Sequence, residues 1–200
     1  MDAVVDASII YTELKETAMT VPTGITTGIW TLDIAHSDIA FTVRHAGISK
    51  VRGRFTDATG TVNVGHSLAE TKVEATVKTA SFDSGDANRD AHVKGADFFD
   101  VEEFPEMTFV STAIEHNGES YDVTGNLTIK GVTQQVTIET EFNGVAVDPF
   151  GVTRAGISGE TTISRKEFGL TWNAVLEAGG VLVSDKVVIS LDLAFTAPQA

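Results

Sequence analysis

Polar and apolar residues alternate with a period of two through most of this chain of 200 residues. Alternation sends successive side chains to opposite faces, which is typical of half-buried β-strands. The longest one-sided run ends the chain, with Val187, Ile189, Leu191, Leu193 and Phe195 on one face. Asn117-Gly118 and Asn143-Gly144 are turn signals. The predicted strands are 30–34, 39–45, 51–55, 60–64, 72–82, 106–115, 120–130, 134–147, 156–164 and 186–197.

One stretch breaks this alternation, RDAHVKGADFFDVEEFPEMTF at residues 89–109. Asp86 and Asp97 are placed to cap two short helical turns, and Pro105 would end the second. The sequence therefore predicts a short helical lid inserted between strands. We refer to the segment from Asp86 to Pro105 as the lid.

Eight or more antiparallel strands with short connections fit either a sandwich or a closed barrel. We favour the barrel, because single-faced alternation persists even in the longest predicted strands. The 18 glycines are consistent with strands that bend sharply at corners. A barrel of about eight strands encloses either packed side chains or one small ligand.

Residues 1–18 show weak helical periodicity and no strand alternation, so we predict a helical or frayed extension there. The predicted organisation is an N-terminal extension at 1–27 and a barrel domain at 28–200. Met19 is an alternative start of the native protein. The N-terminus lacks the basic and apolar regions of a secretory signal, and no stretch approaches the roughly 20 apolar residues of a membrane span. We therefore expect a cytoplasmic protein with no integral membrane segment.

The formal net charge of −14 argues against nucleic acid as a partner, because a phosphate polymer would be repelled over most of the surface. The sequence contains no cysteine, which excludes thiol catalysis and thiolate metal sites. Five scattered histidines show no metal-ligand spacing, so we predict no metal and no cofactor. Ser158 lacks the context of a hydrolase nucleophile. The sequence thus offers no specific catalytic residue.

The inward-facing side chains of the predicted strands converge on one interior. If these side chains meet, they form an ordinary core; if the barrel is wider, they line an apolar cavity that invites a hydrocarbon ligand. The predicted lumen residues are Phe41, Val43, Met107, Phe109, Val123, Leu127, Ile138, Phe142, Ile189, Leu191 and Phe195.

Four polar residues are candidates for binding a ligand head group at the rim: His45, Arg89, Asp90 and His92. Arginine can clamp an anionic or carbonyl group. The alternative is that Arg89 and Asp90 tie the lid to the barrel, and that His45 is a structural histidine.

A cluster of basic residues lies in the opposite phase from Phe41 and Val43. We interpret it as a solvated outer face rather than a phosphate cradle. Its members are Arg44, Lys50, Arg52 and Arg54.

Six ordered segments resemble the bacterial YceI-like family of lipocalin-like polyisoprenoid-binding proteins. They are WTLDIAHSDIAFTVRH (30–45), GRF (53–55), SFDSGDANRDAHVKGADFFDVEEFPEMTFVST (81–112), GNLTIKGVTQQV (125–136), RAGI with ISRKEFG (154–169), and SDKVVISLDLAF (184–195). Gln135, Glu167 and Ser184 depart from the family pattern at turns and at one charged rim position. Many relatives are periplasmic.

The resemblance implies an extended antiparallel lipocalin-like barrel that binds and carries a long isoprenoid lipid, such as a polyprenyl phosphate or an isoprenoid quinone, without altering it. One alternative is an enzyme that uses a rim His and Asp on a lipophilic substrate. Another is a stress-related interaction protein with a filled barrel. A homodimer is compatible with the sequence, but no feature selects it.

Overall fold

The computed structural model describes residues 20–177 and 179–199, and within them eleven β-strands and one α-helix. The extension predicted at 1–18 and the alternative start at Met19 lie outside the described residues. The strands are β1 (Gly28–Leu32), β2 (Asp38–His45), β3 (Ser49–Phe55), β4 (Ala58–Val64), β5 (Lys72–Lys78), β6 (Phe82–Asp83), β7 (Glu106–Asn117), β8 (Ser120–Ile129), β9 (Val132–Val147), β10 (Thr153–Ser164) and β11 (Val183–Thr196); the helix is α1 (Ala87–Lys94).

Eight of these strands close into an antiparallel barrel in the order β1-β4-β5-β7-β8-β9-β10-β11. The barrel closes where β11 returns to β1, through the pairs Thr31–Thr196 and Leu32–Phe195. This confirms the predicted barrel and decides against a sandwich. The alternation is clearest on β9, where Gln135, Thr137 and Glu139 are exposed and the residues between them face inward.

The first part of β11 has a different partner from its end. Residues 183–192 pair with β2, which carries β3, and β3 in turn pairs with the two residues of β6. Strands β2, β3 and β6 therefore lengthen the wall of the barrel beyond the point where β1 stops.

The strand predicted at 30–34 ends at Leu32, because residues 34–36 form a short 3-10 helix. One further strand end and one turn signal are also wrong. The strand predicted at 72–82 ends at Lys78, because Thr79 is fully buried and its hydroxyl donates to the carbonyl of Phe104 at 2.8 Å, which draws the chain into a turn. Asn143-Gly144 does not end a strand. Gly144 lies inside β9 with a φ of 116°, where the register with β10 shifts in a β-bulge. Asn117-Gly118 does form the β7–β8 turn.

The lid begins with α1, and Asp86 caps this helix by accepting the amide of Arg89 at 2.9 Å. After Asp97 a single turn forms, in which the amide of Phe104 donates to the carbonyl of Asp100 at 2.8 Å, but no second helix forms and Asp97 is not its cap. Asp100 adopts a φ of 51°, which is outside helical geometry. The carboxylate of Asp97 lies 2.9 Å from the Nε2 atom of His92 instead of capping a helix.

Residues 20–27 pack onto the end of the barrel opposite the lid. Val21 and Ile25 contact the buried cluster around Trp30, whose indole nitrogen donates to the carbonyl of Thr26 at 2.9 Å. The described part of the predicted extension therefore covers this end of the barrel.

An ion-pair network ties the end of β1 to the β9–β10 turn. The Arg154 guanidinium donates to Asp33 at 3.0 Å and pairs with Asp148, and all three side chains are at most a quarter exposed. Arg154 lowers the pKa of Asp33, and the Val152 amide together with Arg154 lowers the pKa of Asp148.

Replacing Arg154 by Gln is expected to lower the melting temperature at neutral pH, with a smaller effect in acid. The folded pKa values of Asp33 and Asp148 lie below the unfolded value of about 3.9, so the network stabilises fully above that pH and loses its effect as the pH falls further, through the folded pKa values. Thermal unfolding at pH 7 and near pH 3 checks this. Arg54→Gln is the control, because Arg54 is 60% exposed and 3.9 Å from Asp83. An equal penalty for Arg154→Gln at both pH values would contradict the prediction.

Candidate ligand cavity

The barrel encloses an apolar cavity of about 700 Å³. Known ligand pockets measure about 300–1,000 Å³, whereas engineered apolar voids of about 150 Å³ stay dry and empty. The alternative of a completely packed interior is therefore not what the structure has. Along β11 the lining runs from Val183 to Phe195, which is about 40 Å of strand or about 30 Å along the axis of a barrel with tilted strands.

All eleven predicted lumen residues border this cavity. Their common phase brings them together from five strands, β2, β7, β8, β9 and β11. Further lining comes from segments without alternation, which the sequence reasoning missed: Phe98 of the lid, Phe168, Trp172 and Leu182.

The cavity opens at the end of the barrel that carries the lid. The lining residues Arg44, His45, Asn88 and His92 are exposed, and they come from the end of β2 and from α1. At the opposite end the lining residues Leu68 and Phe195 are each only 5% exposed. The mouth therefore lies between α1 and the β2–β3 hairpin.

The predicted rim residues occupy different positions around this mouth. His45, Arg89 and His92 border the cavity, whereas Asp90 does not. Arg89 donates from Nε to the Ser84 hydroxyl at 2.7 Å and from a terminal nitrogen to the Ser84 carbonyl at 3.0 Å. Asp90 accepts the Ser84 amide at 3.0 Å and the Ser84 hydroxyl. Arg89 and Asp90 thus hold α1 to the segment that follows β6.

His92 belongs to an aromatic cluster that connects the lid to Trp172. Its ring centroid lies 4.6 Å from that of Trp172 and 5.2 Å from that of Phe98, in edge-on contacts, and the Phe98 and Trp172 centroids are 5.3 Å apart. The His92–Asp97 contact fixes the imidazole against this cluster. One side of the mouth is therefore an ordered polar and aromatic rim.

The predicted basic face lies on the outside of β2 and β3. Arg44 pairs in register with Lys50, and Arg52 and Arg54 follow at alternate positions on β3. All four side chains are exposed, and the opposite phase carries Phe41 and Val43 into the lumen. Arg44 also borders the mouth.

The sequence reasoning missed Arg165, which is 5% exposed and borders the cavity. Its guanidinium donates to the carbonyls of Leu170, Trp172, Val183 and Ser184, so it holds the 170–184 segment against the barrel. Burial lowers the pKa of Arg165, but an arginine side chain stays protonated in proteins. A sequence shows an arginine but not the carbonyls that surround it.

No group of three or more potential metal ligands is found within residues 20–177 and 179–199. In the same part of the chain, no helix has the length and apolar character needed to span a membrane.

Two glycines make room for aromatic rings in the lumen wall. A Cβ atom on Gly125 would lie 2.4 Å from the ring of Phe109, and one on Gly53 would lie 2.6 Å from the ring of Phe41. Each ring therefore lies directly on the backbone of a neighbouring strand. Aromatic rings that cover strand glycines help fix strand register.

Replacing Gly125 by Ala is expected to destabilise the protein by about 1–3 kcal/mol, because the new methyl group displaces Phe109 into the lumen. Urea unfolding measures this cost. Gly156→Ala is the matched control, since its Cβ atom would meet Asn143 at an ordinary contact distance of 3.4 Å. Equal losses for the two variants would show that the Phe109 contact is unimportant.

A family profile described as the YceI-like domain matches residues 30–195. A UPF0312 protein of Pseudomonas aeruginosa is 41% identical over 136 residues, which cover 68% of this chain and 71% of that protein.

Two solved structures share the barrel. Burkholderia cenocepacia BcnA superposes with a TM-score of 0.71 at 28% identity, over 82% of this chain and 98% of that one. A polyisoprenoid binding domain from Saccharophagus degradans, implicated in plant cell wall breakdown, superposes with a TM-score of 0.65 over 84% of this chain and 98% of that one. At 15% identity, this second comparison shows a shared fold alone.

Proposed function

Because this chain belongs to the YceI-like family, and because its barrel encloses an apolar cavity of about 700 Å³ that opens to solvent, we propose that it binds and carries an isoprenoid lipid. The observation that carries the proposal is the cavity itself, which is long, apolar and open at one end. The name of the Saccharophagus degradans structure, a polyisoprenoid binding domain, adds support from a shared fold.

The lipid tail would provide most of the affinity. Each buried methylene contributes about 0.8 kcal/mol, so one five-carbon isoprene unit gives a few kcal/mol. Two or three buried units would reach micromolar binding after the cost of immobilising the chain. A lumen about 30 Å deep has room for an extended chain of this kind.

The head group would lie at the mouth, among His45, Arg89 and His92. Two N–H groups of Arg89 are used by Ser84, so the guanidinium retains others for a ligand. Asp90 would then act indirectly, by holding Ser84 and so positioning Arg89. The net charge of −14 favours a neutral head, such as a quinone or an amide, over a diphosphate.

Native mass spectrometry of freshly purified protein, followed by organic extraction, tests the proposal. The expected result is a stoichiometric adduct of isoprenoid mass, recovered chemically unchanged after prolonged incubation. A protein that is bare, and that also fails to take up an added polyprenyl phosphate or isoprenoid quinone, would contradict the proposal. Recovery of a chemically altered lipid would instead support an enzyme.

A further inference from the structure

Three apolar side chains are exposed to solvent at the end of the barrel that carries the mouth. Ile48 is 87% exposed, Val175 is 86% exposed and Val181 is 50% exposed. Single exposed apolar residues are common on protein surfaces, so their exposure alone indicates nothing. Their arrangement relative to one another and to the cavity is the informative feature.

The three residues lie on two loops that are hydrogen-bonded to each other. Ile48 is in the β2–β3 turn, and Val175 and Val181 face each other across a β-bridge. The amide of Ala46 in the first loop donates to the carbonyl of Leu182 in the second at 2.7 Å. This hydrogen bond holds the two loops side by side near their bases, and we call Ile48, Val175 and Val181 together the apolar tip.

The apolar tip lies beside the cavity mouth. His45 precedes the first loop and pairs with Val183, which follows the second, and both residues border the cavity. Leu182, next to Val181, also lines it. A surface that received the apolar tip would therefore lie close to the opening through which a lipid enters or leaves.

Positive charge flanks the apolar tip, although the chain as a whole carries a net charge of −14. Arg44, Lys50 and Arg52 are exposed on the same hairpin as Ile48. The second loop contributes one exposed acidic side chain, Glu177, and the acidic residues Asp86 and Asp97 are exposed on the far side of the mouth. The hairpin side of the mouth thus combines apolar and cationic groups.

Exposed apolar residues also occur at the opposite end of the barrel. Phe150 is 91% exposed in the β9–β10 turn, but the nearby Arg154 guanidinium is engaged by Asp33 and Asp148. This exposed aromatic ring lies far from the mouth, beside an arginine that two carboxylates already engage, and serves as an internal comparison.

We propose that the apolar tip and its flanking cations dock the mouth on the surface of an anionic lipid bilayer. Apolar side chains enter the boundary between head groups and acyl chains, and Lys and Arg bind anionic head groups. The proposal rests on the function proposed above, because docking would let a lipid pass between bilayer and cavity without crossing water. It identifies the bilayer as the donor or acceptor of that lipid.

Flotation of the full-length protein with vesicles tests the docking. The vesicles contain phosphatidylcholine with about one third phosphatidylglycerol and no isoprenoid. Wild type is expected to float with these vesicles and much less with pure phosphatidylcholine. The triple variant Ile48→Ser, Val175→Ser, Val181→Ser is expected to bind about tenfold more weakly, and Lys50→Glu with Arg52→Glu should abolish the preference for phosphatidylglycerol.

Phe150→Ser is the matched control, because it removes an equally exposed apolar side chain at the other end and should bind as wild type does. Absence of wild-type flotation, or equal flotation of wild type and triple variant, would overturn the proposal. Self-association of wild type that the triple variant loses, seen by sedimentation velocity, would replace the bilayer with a second copy of the chain.

Isoprenoid loading of the triple variant from detergent, measured by native mass spectrometry, separates the two proposals. A variant that loads normally but does not float supports docking as a separate property. Wild type that floats but never loads leaves docking standing and overturns the lipid-carrier function.

Discussion

Replacement of Arg165 by Met is expected to lower the free energy of unfolding by about 3–5 kcal/mol, more than the loss expected for Gly125→Ala. The variant removes the arginine donor of the carbonyls of Leu170, Trp172 and Ser184 in a site where Arg165 is 5% exposed. The carbonyl of Val183 also loses Arg165 but keeps the side-chain amide of Asn173 as a donor. Each buried carbonyl that loses its partner costs about 1–3 kcal/mol unless water reaches it. Urea denaturation measures the loss.

Two further variants separate the geometry of Arg165 from its charge. Lys166→Met removes a positive charge one residue along the chain at an exposed position, and is expected to cost little. Arg165→Lys keeps the charge but has one nitrogen in place of the planar guanidinium group. Its loss of unfolding free energy should therefore lie between those of Lys166→Met and Arg165→Met. If Arg165→Met were no more costly than Lys166→Met, the carbonyl cluster would not be holding the 170–184 segment.

Replacement of Ile138 by Trp is expected to weaken binding of a long isoprenoid by at least about a hundredfold. Ile138 borders the cavity from β9, and the indole would block the lumen beyond it. Excluding four or five methylenes from burial costs about 3–4 kcal/mol at roughly 0.8 kcal/mol each, which is a factor of a hundred or more. Titration of the lipid-free protein with a long and a short isoprenoid alcohol checks this.

Gln135→Trp is the control on the same strand, because Gln135 is exposed on the outer face and should leave binding unchanged. The short alcohol should bind Ile138→Trp with a smaller loss than the long one, since it needs less of the lumen. Equal losses for both alcohols would indicate unfolding or a head-group effect rather than a blocked lumen. Unchanged binding of the long alcohol would place the ligand outside the barrel.

The sequence predicted the barrel and its lining well, because alternation is a local property. Residues two apart on a strand share a face whatever the rest of the chain does, so Phe41 with Val43 and Ile189 with Leu191 could be assigned to one interior without coordinates. The volume of that interior could not be predicted. It depends on how the rings of Phe41 and Phe109 lie over Gly53 and Gly125, which no spacing records.

The lid and the buried arginine were less predictable, because their structure depends on distant partners. Aspartate is a common helix cap, yet the carboxylate of Asp97 contacts the imidazole of His92 instead. Arg165 lies in the run ISRKEFG, where no spacing of residues indicates that one of the two basic side chains is buried. Its burial follows from Leu170, Trp172 and the start of β11, which are brought around it only when the barrel has formed.

The closure of the barrel by β1 and β11 has a consequence for how the protein is made. Thr31 pairs with Thr196, 165 positions further along the chain, so the first strand waits for the last to be synthesised. Contacts of such long range are slow to form, because the chain between them loses much freedom before they are made. On the ribosome, the nascent sheet must therefore stay open, with its apolar lumen face uncovered, until β11 has emerged. The interior that can shelter a lipid in the finished protein is the surface most prone to aggregation during synthesis.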